Sequence, residues 1–213
     1  MTPRPAGAAP NPATIHTLTS PMALISGTSR ADILIGNTNE TDQIYVNNIG
    51  DQIRNSEGRD VIQSWINFDM AASQAQYLVL MGRSGLTATG TARAEVIGGN
   101  AGDNIINGGK GQDRLTGGRG ADTFVFDAYG QLNADIIEDF SQGDTMALSG
   151  DVFGIAAGTA LEFAEGAALG AGPTVFRDAT NQLWFDADGT GDGAAVVFAQ
   201  CRSALDSSTF AVI

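Results

Sequence analysis

Between Gly90 and Val125 a large apolar residue recurs every ninth position: Ile97, Ile106, Leu115 and Phe124. Two residues before each stands an acidic or amide side chain (Glu95, Asn104, Asp113 and Asp122), and before that a turn rich in glycine. The clearest copies are Gly108–Thr116 and Gly117–Val125, with glycine at positions one, two and four, aspartate at six and the apolar residue at eight. The unit from Gly99 keeps the frame with Asn104 at position six, and the unit from Gly90 keeps it more loosely. Nine residues are too few for a helix and its return, but they hold a six-residue turn and a three-residue strand. The pattern therefore predicts short strands, each with one inward anchor, and two units per coil of a flattened solenoid. The expected fold class is all-β: a parallel β-roll of nonapeptide repeats followed by a C-terminal β-rich segment. One coil buries too little apolar surface to stand alone, so the coils must stack.

Outside this block the pattern thins. Gly27–Ile35 places Asp32 and Leu34 in frame, and the nine residues from Asn37 place Asp42 and Ile44. Five of the six prolines fall within residues 1–21, which hold few large apolar residues and read as a disordered leader. Four regions follow: the leader at 1–21, degenerate repeats and spacer at 22–89, the regular roll at 90–150, and a β-rich end at 151–213. No run of apolar residues is long enough for a membrane-spanning helix.

Charge narrows the chemistry. The formal net charge is -13 although only 16% of residues are charged. Such a chain lacks the basic footprint that nucleic acid requires. It suits cation recruitment. A single cysteine, Cys201, and a single histidine, His16, exclude a disulfide framework and the usual zinc ligand sets. Glycine turns expose backbone carbonyls, and calcium takes six to eight oxygen ligands, so carbonyls and a carboxylate from two stacked turns fit it. Units two apart share an edge of the coil. The Asn104 turn is thus expected to face the Asp122 turn, and the Glu95 turn to face the Asp113 turn. The candidate ligands are Gly102, Asn104, Gly108, Gly109, Gly111, Asp113, Gly117, Gly118, Gly120 and Asp122, with a further ion near Asp32 and Asp42. The competing reading, a plain solenoid whose aspartates only cap turns, does not account for the fixed spacing and tandem period together.

The pattern G-G-x-G-x-D-x-U-x resembles the nonapeptide of the RTX (hemolysin-type calcium-binding) family. Gly50–Met70 resembles a spacer between repeat blocks, and the sixteen-residue stretch from Asp135 resembles the strand segment that follows the last repeat. Leu183–Gln200 and the terminal Thr-Phe-Ala-Val-Ile resemble the end of serralysin-like type I secretion substrates. This resemblance implies Ca2+ as cofactor, export through a type I (ABC) transporter, an extracellular location, and folding in extracellular calcium. It also implies that the missing N-terminal signal peptide is replaced by a C-terminal signal in the last residues. Departures are Lys110 and Arg119 at position three, Asn104 and Glu95 at position six, and Arg93 at position four. They imply fewer and weaker ions than in a long array.

No catalytic constellation emerges. The stretch from Asp186 imitates the start of an EF-hand loop, but Val197 stands where the bidentate carboxylate belongs, and the flanks read as strands around a hairpin turn. Gly27-Thr-Ser-Arg-Ala lacks the last glycine of a nucleophile elbow. The sequence therefore points to a non-enzymatic, secreted calcium-binding protein with a structural or interaction role. One alternative is the C-terminal calcium-binding and secretion part of an RTX enzyme such as a protease, lipase or alginate epimerase. Another is an adhesive module for extracellular polysaccharide or a cell surface, although Trp65, Tyr77 and Trp184 are scattered along the chain.

Overall fold

The computed structural model describes residues 14–17, 24–36, 41–54, 59–166, 172–189 and 195–213. Short strands alternate between two faces of a flattened coil. One face is an eleven-stranded sheet whose seven coil strands run parallel from Leu24–Ser26 to Asp135–Ile137. The other is a six-stranded parallel sheet from Phe68–Asp69 to Phe210–Val212. A three-stranded parallel sheet at the N-terminal end joins Thr14–Thr17, Asp32–Ile35 and Gln52–Arg54. The expected parallel β-roll is the fold of this protein.

Register follows the repeat. Val96 pairs with Arg114 on one face and Ile105 with Thr123 on the other, each one coil further along. The three-residue strands of the regular coils turn their middle residue inward, as in Val96–Gly98, Ile105–Asn107 and Arg114–Thr116. Ile25, Ile44, Ile62, Leu78, Ile97, Leu115 and Ile137 stack as one buried column, and Leu34, Ala88, Ile106, Phe124 and Met146 line the opposite wall. Position eight thus holds the coils together. Each buried side chain of this size stabilises by roughly 1.5–3 kcal/mol.

The sequence-level regions need two corrections. Gly50–Met70 is not an interruption: Gln52–Arg54, Val61–Ser64 and Phe68–Asp69 are coil strands in the same sheets. Nor is the leader structureless throughout, since Thr14–Thr17 pairs in parallel with Asp32–Ile35. Its Thr-Ile-His-Thr sequence is mostly β-branched, suits an extended edge, and satisfies backbone groups that Asp32–Ile35 would otherwise leave open. The remaining leader residues lie outside the described ones.

The C-terminal segment closes the solenoid. Val196–Cys201 continues the larger sheet in parallel beside Asp135–Ile137, then pairs antiparallel with Gln182–Asp186. The stretch from Asp186 is accordingly part of a hairpin, with Asp186 Oδ1 accepting from the backbone N–H groups of Asp188 and Gly189. Residues 190–194, including Asp192, lie outside the described ones. Phe153, on the short helix Gly150–Phe153, packs against Tyr129, Phe185 and Phe198. Phe210–Val212 pairs with Met146–Leu148, and Phe210 and Val212 are buried. The tail is therefore an integral strand of the roll, because its alternating apolar residues cover an edge that would otherwise be open. Among the described residues, no helix is long and apolar enough to cross a membrane.

Candidate metal centre

Among the described residues, the turns of the repeat coils lie on two edges, and each edge carries a ladder of position-six side chains. On the first edge, Glu95 N–H donates to Asp113 Oδ1 at 2.7 Å, and Asp113 N–H to Asp135 Oδ1 at 3.0 Å. Further down, Asp42 N–H donates to Asp60 Oδ1 at 2.8 Å. On the second edge, Asn104 N–H donates to Asp122 Oδ1 at 2.8 Å and Asp122 N–H to Asp144 Oδ1 at 2.9 Å. Asp32 N–H donates likewise to Asp51 Oδ1 at 3.0 Å. The expected facings, Glu95 with Asp113 and Asn104 with Asp122, are the ones observed. Asp32 and Asp42 do not share a site: one unit apart, they fall on opposite edges and face Asp51 and Asp60 instead.

The second oxygens of the two intact repeats stand out. Asp113 Oδ2 and Asp122 Oδ2 are buried with no hydrogen-bond partner. A methyl group added to Gly108 would lie 2.4 Å from Asp113 Oδ2, and one added to Gly117 would lie 2.4 Å from Asp122 Oδ2. Position one is glycine because the carboxylate occupies the space of a side chain. Burial, opposed in part by the Glu95 backbone N–H, pushes Asp113 up to about 7; Asp135, buried beside it, rises to about 8. Asp122 is raised for the same reason, with Asp144 and Asp139 adding repulsion. Buried carboxylates that each leave one oxygen without a donor and sit beside further negative charge are a site built for a cation.

Carbonyls complete the donor set. Gly108 O and Gly117 O project toward the coil beneath, where a methyl on Gly90 or Gly99 would meet them at 2.2 and 2.1 Å. Gly109 and Gly118, at φ 82° and 97°, sit against Thr91 O and Asn100 O of the preceding coil. Gly111 and Gly120, at φ 109° and 115°, sit against Arg93 O and Gly102 O. These four glycines take a left-handed backbone that side chains resist. Gly102 O also accepts from Asn104 Nδ2 at 2.5 Å, so the asparagine serves its own turn as well as Asp122. Lys110 and Arg119 are exposed, which leaves their charges to solvent rather than in the turn.

Among the described residues no group of three His, Cys, Asp or Glu side chains converges on one point. Any ion here is held by one or two carboxylates with carbonyls, the hard-oxygen set of calcium, not by a nitrogen or sulfur cage. Four ladder members escaped the sequence reading: Asp51, Asp60, Asp135 and Asp144. Their signal is a bare D-x-U, as in Asp60-Val61-Ile62 and Asp144-Thr145-Met146, without the preceding glycine pair.

Fold and turns together define a cation-binding parallel β-roll. Residues 89–124 match the family model of the RTX calcium-binding nonapeptide repeat, in four copies. The chain thus carries RTX repeats, and calcium is the ion that their turns take. No curated protein matches the chain.

Proposed function

We propose that this protein is a secreted calcium-binding module that leaves the cell through a type I transporter, folds on extracellular Ca2+, and then acts structurally or by interaction, without catalysis of its own. The observation that carries the reading is the pair of buried, donorless oxygens on Asp113 and Asp122. Without a cation each costs desolvation energy; with one, each becomes a ligand that ties two coils together. The net charge of -13 acts in the same direction, since carboxylates stacked along both edges oppose folding until they are neutralised. The RTX match supports export and an extracellular location.

Calorimetric titration of the purified chain tests the binding step. Affinities of roughly 0.1–1 mM are expected for an extracellular module. Asp113→Ala and Asp122→Ala should each shift the calcium midpoint of folding upward, and midpoints equal to the parent's would mean that these turns are not the sites. Export is tested separately, by co-expression with a type I system and recovery of the chain from the medium. Turnover of protein, lipid or alginate substrates by the purified chain would instead support the enzyme-fragment reading.

A further inference from the structure

One turn on the first edge breaks the repeat in an informative way. In the unit from Gly90, position four is Arg93 where the intact repeats have Gly111 and Gly120. Its side chain runs back to the preceding coil. There Nη1 donates to Gln74 O at 3.2 Å, and Nη2 lies 3.4 Å from Ser73 O and 3.3 Å from Ala75 O. Nη2 also lies 3.5 Å from Glu95 Oε1. The guanidinium therefore touches three carbonyls of one turn and the position-six carboxylate of the next, a hard-oxygen set drawn from two stacked turns.

Charge matches this substitution. Tyr77 pairs with Val96, so Gln76 holds the position-six place opposite Glu95. This gap carries one carboxylate. The next neighbours along this edge are acidic at both positions, Glu95 beside Asp113 and Asp113 beside Asp135. Where the partner position is the neutral Gln76, a single guanidinium stands against the one buried carboxylate. The side chain of Glu95 is buried and is held by Thr91, whose N–H donates to Oε2 at 2.7 Å and whose Oγ1 donates to Oε1, as well as by Arg93.

We propose that Arg93 is a covalently attached stand-in for a calcium ion, locking the 73–76 turn to the 91–95 turn whether or not calcium is present. The coils from Gln43 to Val79 are then joined to the first repeat strand, Val96–Gly98, in calcium-free solution, while the strands that follow wait for the ion. The inference rests on the calcium reading of the repeat turns.

Hydrogen exchange on the full chain, with and without calcium, separates the two ideas. In calcium-free buffer the amides of Tyr77–Leu80 and Val96–Gly98 should be protected in the parent. Arg93→Gly should exchange there roughly tenfold faster or more, the scale of losing charge-assisted hydrogen bonds. Arg93→Lys, which keeps a cation, should retain most of the protection, and calcium should restore it in Arg93→Gly. In the double variant Arg93→Gly with Gln76→Asp, which has two carboxylates in the gap, calorimetry should count one more bound calcium. Parent-like protection of Arg93→Gly without calcium, or equal loss in the Gly and Lys variants, would overturn the stand-in role. So would loss that calcium fails to repair, which marks simple packing. If instead Ile105–Asn107 and Thr123–Phe126 exchange alike with and without calcium in the parent, the proposed function fails, and the Arg93 comparison still reads out by itself.

Discussion

Gly108 and Gly117 are required for want of space rather than for φ, because a carboxylate oxygen already fills the place of their side chains. Gly108→Ala should therefore abolish calcium-induced folding of its turn as fully as Asp113→Ala, which a calcium titration followed by circular dichroism will show. The same carboxylates set a pH dependence. Asp113 and Asp135 are raised from 3.8 to about 7 and about 8, first by burial, with the Glu95 charge adding to the rise of Asp113 and the Asp113 charge to that of Asp135. For groups raised in the folded state, the stabilising contribution is full below 3.8 and is lost as pH rises through about 7 to 8. The calcium-free protein should accordingly be more folded at about pH 5 than at about pH 9, by far-UV circular dichroism after chelation. Calcium takes the ionised pair, so its binding near neutral pH should release protons and tighten as pH rises; heats measured in buffers of different ionisation enthalpy will show it. A flat profile would place the pair outside the calcium sites.

Among the elements, the inward anchor of each strand decides stability. Leu115 is buried between Ile97 and Ile137 in successive coils. Leu115→Ala should cost about 2–5 kcal/mol in the calcium-loaded protein, measured by denaturant unfolding. The last strand behaves similarly. Deleting residues 207–213 removes the buried Phe210 and Val212 and uncovers the Thr145–Leu148 edge, so the truncated chain should lose thermal stability even in calcium. The expected C-terminal export signal falls on this same segment, which can serve both roles if a transporter reads it before it packs. Strands were legible in the sequence wherever glycine turns flanked them, as at Leu115 and Phe124. They were hidden at Ile53, Ile62 and Met146, where only Asp-x-apolar survives; at Met146 the coil also lengthens from 18 to 22 residues and the nine-residue count fails. The closing hairpin depends on Val196–Cys201 meeting Asp135–Ile137, a pairing across some sixty residues that no local pattern announces.

Taken whole, the molecule is a stack in which each coil touches only its neighbours, closed at its C-terminal end by the hairpin and the Phe153 cluster. Stacked units with this connectivity need not unfold together. That has a mechanical consequence. A chain pulled by its two ends in an optical trap should lose coils one at a time from the N-terminal end, while the end closed by the hairpin and the Phe153 cluster holds. Each coil of 18 residues, drawn out at about 3.3–3.6 Å per residue, should release roughly 60 Å of slack. The 22-residue coils near the closed end should release roughly 75 Å. Chelation should lower the force of the steps past Val96 and leave the step across the Arg93 junction unchanged. The protein would then extend under load as a ratcheted tape whose teeth are set by dissolved calcium, and a single all-or-none rip would show that its coils are not separable.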